Sequence, residues 1–241
     1  MTTGEKILAW GAAGITAVLV TFGIIEAVKS KPAASNTPAA TGTTMSILLT
    51  TPSGGGTGNL GIVALPAGAT LIVGAPQGGS VGNVSFSAAG YKVAAQTGTA
   101  VSIRASSTTP AVAQATITWV DATNAAQSST VQIVPELATT QIALFAGQMP
   151  DMWLPASSSS VTGALLFVPA SGGTQLPVIN SGSVTSGTSV TGTQYPPATG
   201  SPGGSFGVVA AANGTSTVSI AWTDGTGASQ TSTFAVTVLA A

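Results

Sequence analysis

One segment of the chain occurs twice. The stretch ATITWVDATNAAQSSTVQIVP, residues 115–135, lies without a gap on VSIAWTDGTGASQTSTFAVTVLA, which begins at Val218. Ile117 falls on Ile220, Trp119 on Trp222, Asp121 on Asp224, Gln127 on Gln230 and Ile133 on Val236, all at an offset of 103 positions. A constant offset of that length leaves room for one compact unit per copy, which predicts two domains of about 100 residues each. Each copy reads as a strand, a polar turn and a second alternating strand, the pattern of a β-hairpin. Because strand side chains alternate between faces, Ala115, Ile117 and Trp119 should face one core and Val218, Ile220 and Trp222 the other. Val131 and Ile133, or Phe234 and Val236, would then supply the returning strand.

The rest of the chain after residue 44 has the same texture. Short runs rich in Val, Ile, Thr and Phe, at 69–73, 83–86, 100–103, 115–120, 164–168, 205–210, 218–223 and 233–238, are separated by clusters of Gly, Pro, Ser and Asn. That is the signature of many short strands joined by tight turns. No stretch here sustains a helical period, so the expected class is all-β. The expected architecture is two tandem antiparallel sandwiches over 45–136 and 137–241.

The closing hairpin VSIAWTDGTGASQTSTFAVTV resembles the last two strands of bacterial immunoglobulin-like domains. In those domains an apolar strand ends in Asp, turns through Gly and Ser or Thr, and returns as alternating Thr and Val. The resemblance covers about a fifth of the chain, counting the two copies together. It implies a sandwich of about seven strands used as a spacer, adhesive or assembly module.

Ahead of the β-rich part stands an uncharged run from Ile7 to Ile25, ILAWGAAGITAVLVTFGII. As a helix it would span roughly 28 Å, close to the thickness of a bilayer's hydrocarbon core. Glu5 and Lys6 precede it and Glu26, Lys29 and Lys31 follow, which places the ionisable groups at the two headgroup levels, with Trp10 near one interface. A cleaved signal peptide and a buried core helix are the competing readings. The run is long for a signal sequence and no A-x-A site stands just after it, so residues 1–31 are expected to be a transmembrane anchor. Ala9, Ala13, Ala17 and Thr21 recur every four residues and form a stripe along which a second helix could approach closely. The basic residues on the two sides balance, so they do not fix the orientation. Residues 32–44, PAASNTPAATGTT, read as an extended tether.

Composition narrows the function. Charged residues are only 5% of the chain and the formal net charge is −1, so no basic face exists to neutralise phosphates and nucleic acid is not an expected partner. The chain has no His and no Cys, which removes an imidazole base, a Ser-His-Asp triad and thiolate chemistry. Lys92, in AAGYKVAAQ, reads as a strand residue on the wet side rather than as the base of a Ser-Lys hydrolase. Asp121 and Asp224 hold the same place in two copies, which suits turn-capping residues better than a pair of acids in one cleft or a Ca²⁺ cluster. The stretch GGGTGNLG near Gly54 lacks the Lys and helix of a phosphate cradle and reads as a loop. No catalytic residue, cofactor or metal is therefore expected.

One apolar cluster stands out. Phe145, Met149, Met152 and Trp153 crowd around Pro150 and Asp151, either as a contact patch for another chain or as internal packing. So little charge protects a free monomer poorly against association, which favours a surface covered by neighbouring subunits. The expected function is a non-enzymatic, membrane-anchored structural protein of a multi-copy envelope or virion, such as a bacteriophage with a membrane. Its domains would lie on one side of a virion membrane or bacterial envelope; a cell-surface adhesin using its loops is the alternative. The stripe carries its own test. Ala13→Leu or Ala17→Leu should push helices apart and lower the oligomer population seen by cross-linking, whereas Val18→Leu, on another face, should not.

Overall fold

The computed structural model describes residues 44–52, 57–106, 111–135, 141–156, 164–170, 173–196 and 203–239. The run 7–25, the tether up to residue 43, the stripe Ala9, Ala13, Ala17 and Thr21, and Glu136 lie outside them. Seventeen strands make up the described residues and no helix occurs among them. The first eight are β1 (Thr44–Leu48), β2 (Thr57–Leu65), β3 (Thr70–Gly74), β4 (Ser80–Phe86), β5 (Tyr91–Gln96), β6 (Ala100–Ala105), β7 (Ala113–Val120) and β8 (Ala126–Pro135). Then come β9 (Gln141–Leu144), β10 (Gly147–Gln148), β11 (Met152–Pro155), β12 (Ala164–Pro169), β13 (Val178–Ser186), β14 (Val190–Tyr195), β15 (Ser205–Ala210), β16 (Gly214–Thr223) and β17 (Ser229–Leu239).

These strands form three sheets. Two four-stranded sheets, ordered β1-β3-β6-β5 and β14-β15-β12-β9, cover a central sheet ordered β13-β16-β17-β11-β2-β8-β7-β4, with β10 also on β17. The described residues thus form an all-β sandwich in which one sheet serves two cores. The strand order of the second half mirrors that of the first. The two meet at the middle, where β11 runs parallel to β2 with Met152 opposite Ile62 and Trp153 opposite Val63.

The expected purely antiparallel pairing is not what forms. β1 runs parallel to β3, β2 to β8, β9 to β12 and β11 to β17. In each half the opening segment is divided between two sheets and pairs with strands that are not its neighbours in sequence. A tight turn forces antiparallel pairing only between consecutive strands, so the alternation pattern carried no information about these pairings. The Gly-rich stretch expected as a loop also runs on into structure, since residues 57–60 already belong to β2.

The side chains of β2 explain how the halves are fused. Leu60, Val63 and Leu65 enter the core beneath the first small sheet, while Ile62 and Ala64 enter the core beneath the second. On β11, Met152 and Leu154 belong to the second core and Trp153 packs on the first. Neighbouring residues of a strand point to opposite faces, so the two small sheets lie on opposite sides of the central sheet. This also accounts for the continuous apolar run of β2, the pattern of a strand buried on both faces.

The join is fitted at the backbone. The Ile62 N–H donates to the Asp151 carbonyl at 2.8 Å, and the Trp153 indole N–H reaches across to the Leu60 carbonyl at 2.9 Å. Between them Gly61 has φ of +95°, its N–H is held by the Asn59 side chain at 2.9 Å, and a Cβ there would overlap the Asp151 carbonyl. Both the backbone region and the space exclude a side chain. Gly61→Ala should therefore cost about 1–3 kcal/mol or more. Because both cores share the join, thermal unfolding followed at Trp119 and at Trp222 should shift together rather than in one half alone.

Candidate functional site

The two copies of the repeat build the same turn. In the first, the Asp121 Oδ1 accepts the Thr123 N–H at 2.8 Å, the Thr123 hydroxyl at 2.7 Å and the Ala125 N–H at 3.0 Å, while Oδ2 accepts the Gln127 side-chain amide at 2.8 Å. In the second, Asp224 accepts the same four bonds from Thr226, Ala228 and Gln230 at 2.8, 2.6, 3.0 and 2.8 Å. Asn124 with φ of 63° and Gly227 with φ of 86° take the left-handed place in each turn, a position that Asn and Gly tolerate best. Sequence reasoning matched Gln127 to Gln230 without a role; in the structure each closes the loop around its carboxylate.

These bonds fix the electrostatics. The Thr123 hydroxyl first, then the Ala125 amide and the Gln127 side chain, hold the Asp121 carboxyl down from its ordinary 3.8 to about 2. The Thr226 hydroxyl and Gln230 side chain do the same for Asp224, also to about 2. Both carboxylates stay ionised at neutral pH, and most of their acceptor capacity is used inside their own turns, each Oδ2 taking a single bond. Among the described residues no group of three His, Cys, Asp or Glu stands close enough to hold a metal ion.

Behind each turn sits a tryptophan. Trp119 is 1% exposed and Trp222 3%, each on the inward face expected for it. Burying an indole leaves an N–H that needs a partner. The Trp119 N–H donates to the buried Ser129 hydroxyl at 3.0 Å and the Trp222 N–H to Ser232 at 2.9 Å. Ser129 and Ser232 stand at the repeat's own offset of 103, a signal present in the alignment but not used.

The apolar cluster is used within the chain. Met149 and Met152 are buried in the second core and Phe145 packs against it half-buried. The Phe145 carbonyl accepts the Ser232 hydroxyl at 2.6 Å, and Trp153 bridges the join. Lys92 lies on the outward side of β5, as expected, and its cross-strand partner is Arg104 of β6.

Two glutamines that sequence reasoning passed over seal the outer edges of the central sheet. At the β4 edge the Gln96 side chain donates to the Val81 and Gly82 carbonyls at 3.2 and 2.7 Å, while the Val81 N–H donates to the Gly98 carbonyl at 3.0 Å. At the β13 edge Gln194 approaches the Ile179 and Asn180 carbonyls at 3.5 and 3.4 Å, and the Ile179 N–H donates to Gly203 at 2.8 Å. Val81 and Ile179 are equivalent positions, each opposite a repeat tryptophan. Edges closed in this way offer fewer free groups to an added strand.

Comparison with known proteins gives no family. No family model and no curated protein sequence matches the chain. Among solved structures it is similar to an endo-fucoidan hydrolase of glycoside hydrolase family 107, at 10% identity and a TM-score of 0.21, over 80% of this chain and 30% of that one. It is similar to the bradyzoite-specific antigen BSR4 of Toxoplasma gondii at 11% identity and a TM-score of 0.22, covering 83% and 96% of the two chains. The titin domains Z1Z2, solved in complex with telethonin, follow at 14% identity and a TM-score of 0.21, covering 84% and 96%. The chain spans less than a third of the fucoidan hydrolase. Likenesses this weak carry no functional argument. Among the described residues no helix is long and apolar enough to cross a membrane.

The turns predict a pH dependence. A carboxyl whose folded pKa lies below its unfolded value stabilises the fold fully above the unfolded value, and that contribution is lost as pH falls through the folded one. The melting temperature should therefore drop as pH falls from about 4 towards 2, in part through these two groups. Asp121→Asn with Asp224→Asn should lower stability at pH 7 and flatten that acid-side slope, read by thermal melts across the range.

Proposed function

We propose that this chain is a non-enzymatic structural subunit, rooted in a bilayer by the run 7–25 and holding a double sandwich of immunoglobulin-like type on one side of it, in a multi-copy envelope or virion such as that of a membrane-containing bacteriophage. The observation that carries the reading is the arrangement of ends. β1 begins, and β2, β8 and β17 end, at one end of the central sheet, while the turns around Asp121 and Asp224 stand at the other. A chain arriving from a membrane at Thr44 would thus hold both turns away from it.

The outer faces suit lateral packing between copies. Gln114, Thr116 and Thr118 on β7, with Thr130 and Gln132 on β8, face away from the first core, and Thr217, Ser219, Thr231, Thr233 and Thr237 do so in the second half. Neutral hydroxyls and amides can be covered by a neighbour without the desolvation cost of buried charge. One feature favours the adhesin alternative: Leu48 and Leu176, 68% and 67% exposed, both lie towards the far end, where a partner could cover them.

Fractionation of the native source separates the two. A structural subunit co-purifies with particles in many copies, whereas an adhesin stays with cell membranes and loses its partner when Leu48 and Leu176 are changed to Ser. A full-length chain that is soluble without detergent would contradict both. Removal of residues 1–31 should leave a soluble fragment whose far-ultraviolet circular dichroism remains that of a β protein.

A further inference from the structure

After residue 31 the sequence holds only two cations, Lys92 and Arg104. They are cross-strand partners on β5 and β6, both exposed. Like charges placed opposite each other on a sheet repel, so the pairing brings the fold no electrostatic gain. Their place is specific. Thr44 pairs with Thr70, Thr70 with Arg104 and Arg104 with Lys92, so all four stand in one row across the first small sheet. Met45, Leu71 and Ile103, each one residue along, are fully buried, which puts the row on the outward face. Thr44 is the first residue of β1, so the cations sit level with the point where the preceding chain enters the fold.

Among the described residues, which do not include Glu136, charge is therefore arranged along the axis of the fold. Of the three described carboxylates, Asp121 and Asp224 stand at the far end and Asp151 at the join partway along, while both cations stand at the entry end. Twelve residues separate Lys31 from Thr44, a reach of at most about 40 Å. An anionic surface at the entry side would attract the row, while the carboxylates of the far turns stand a strand length away, beyond the screening length of about 10 Å at 0.1 M salt.

We infer that Lys92 and Arg104 form a headgroup contact that seats the entry end of the double sandwich on an anionic phospholipid bilayer. The inference rests on the proposed membrane rooting and adds to it a second, electrostatic attachment that sets how the sandwich stands on the surface. Each basic residue close to an anionic surface contributes about a five-fold change in the ratio of seated to unseated chains, equivalent to about 1 kcal/mol. The contact should be released as salt rises from about 0.1 to 1 M, which shortens the screening length from about 10 to 3 Å.

The absence of Cys from the chain makes the test direct. Thr70→Cys places a single fluorescent label in the row, and Gln77→Cys, in the turn between β3 and β4, places one at the far end. The full chain is reconstituted into phosphatidylcholine vesicles with and without phosphatidylglycerol, carrying a quencher on the lipid headgroup. The label at position 70 should be quenched in the anionic vesicles, less in the neutral ones, and released by salt. Lys92→Gln and Arg104→Gln together should lower the ratio of seated to unseated chains by roughly 25-fold, while the label at position 77 stays bright throughout. A chain that does not float with vesicles of either kind overturns the rooting and this contact with it. A chain that floats, but whose label at position 70 is equally bright in both lipids or indifferent to the two substitutions, overturns this contact alone.

Discussion

The structure depends on two short strands, β2 and β11, lying side by side with both of their faces buried. Each sends alternate residues into cores on opposite sides of the central sheet, so neither core is closed without the other half. Val134 of β8 enters the second core and Leu239 of β17 packs on the first, which spreads the dependence over two further strands. Burial of a Val, Leu or Ile side chain contributes about 1.5–3 kcal/mol, so exposing the inner flank of either half would remove a large share of the few kcal/mol that separate folded from unfolded. The backbone meeting of Gly61 with Asp151 is what lets the strands come this close.

Neutral side chains meet the polar demands of the fold. Among the described residues every buried side-chain nitrogen and oxygen has a hydrogen-bond partner. Serines receive the two buried indoles, glutamines close the outer edges of the central sheet, and threonine hydroxyls hold the turn carboxylates. Thr215 and Thr237 bond to each other across the outer face of β16 and β17 at 2.9 Å. Such bonds are geometrically specific and lose little to salt, unlike exposed ion pairs.

The closing hairpins were legible in their facing and in their turns, because period-two alternation and a capped turn are local features, although β7, β16 and β17 begin two to four residues before the expected 115, 218 and 233. Trp119, Trp222, Asp121 and Asp224 all hold the roles that their spacing implied. The opening strands were not legible, since their parallel partners lie far away in sequence. The repeat also fades outside the hairpins for a packing reason. Gly182 and Gly192 leave room for the ring of Phe206, which a Cβ at either would run into. The equivalent positions in the first half are Val84, Val93 and Val101, judged by their partners across the sheets. One large ring replaces the volume of branched side chains, so the two cores are filled alike by residues that do not align. The apolar cluster around Trp153 was visible from composition, but its placement at the join depends on contacts spanning 93 positions.

Because β2 and β11 run the same way, the axis relating the two halves lies along the strands. Its operation turns the molecule over from flank to flank and leaves its ends where they were. The fold is consequently polar along its length and two-sided across it, with comparable neutral faces of the central sheet pointing in opposite directions. A body of that symmetry can meet a neighbour on either flank through similar surfaces while every copy in the row keeps the same end up.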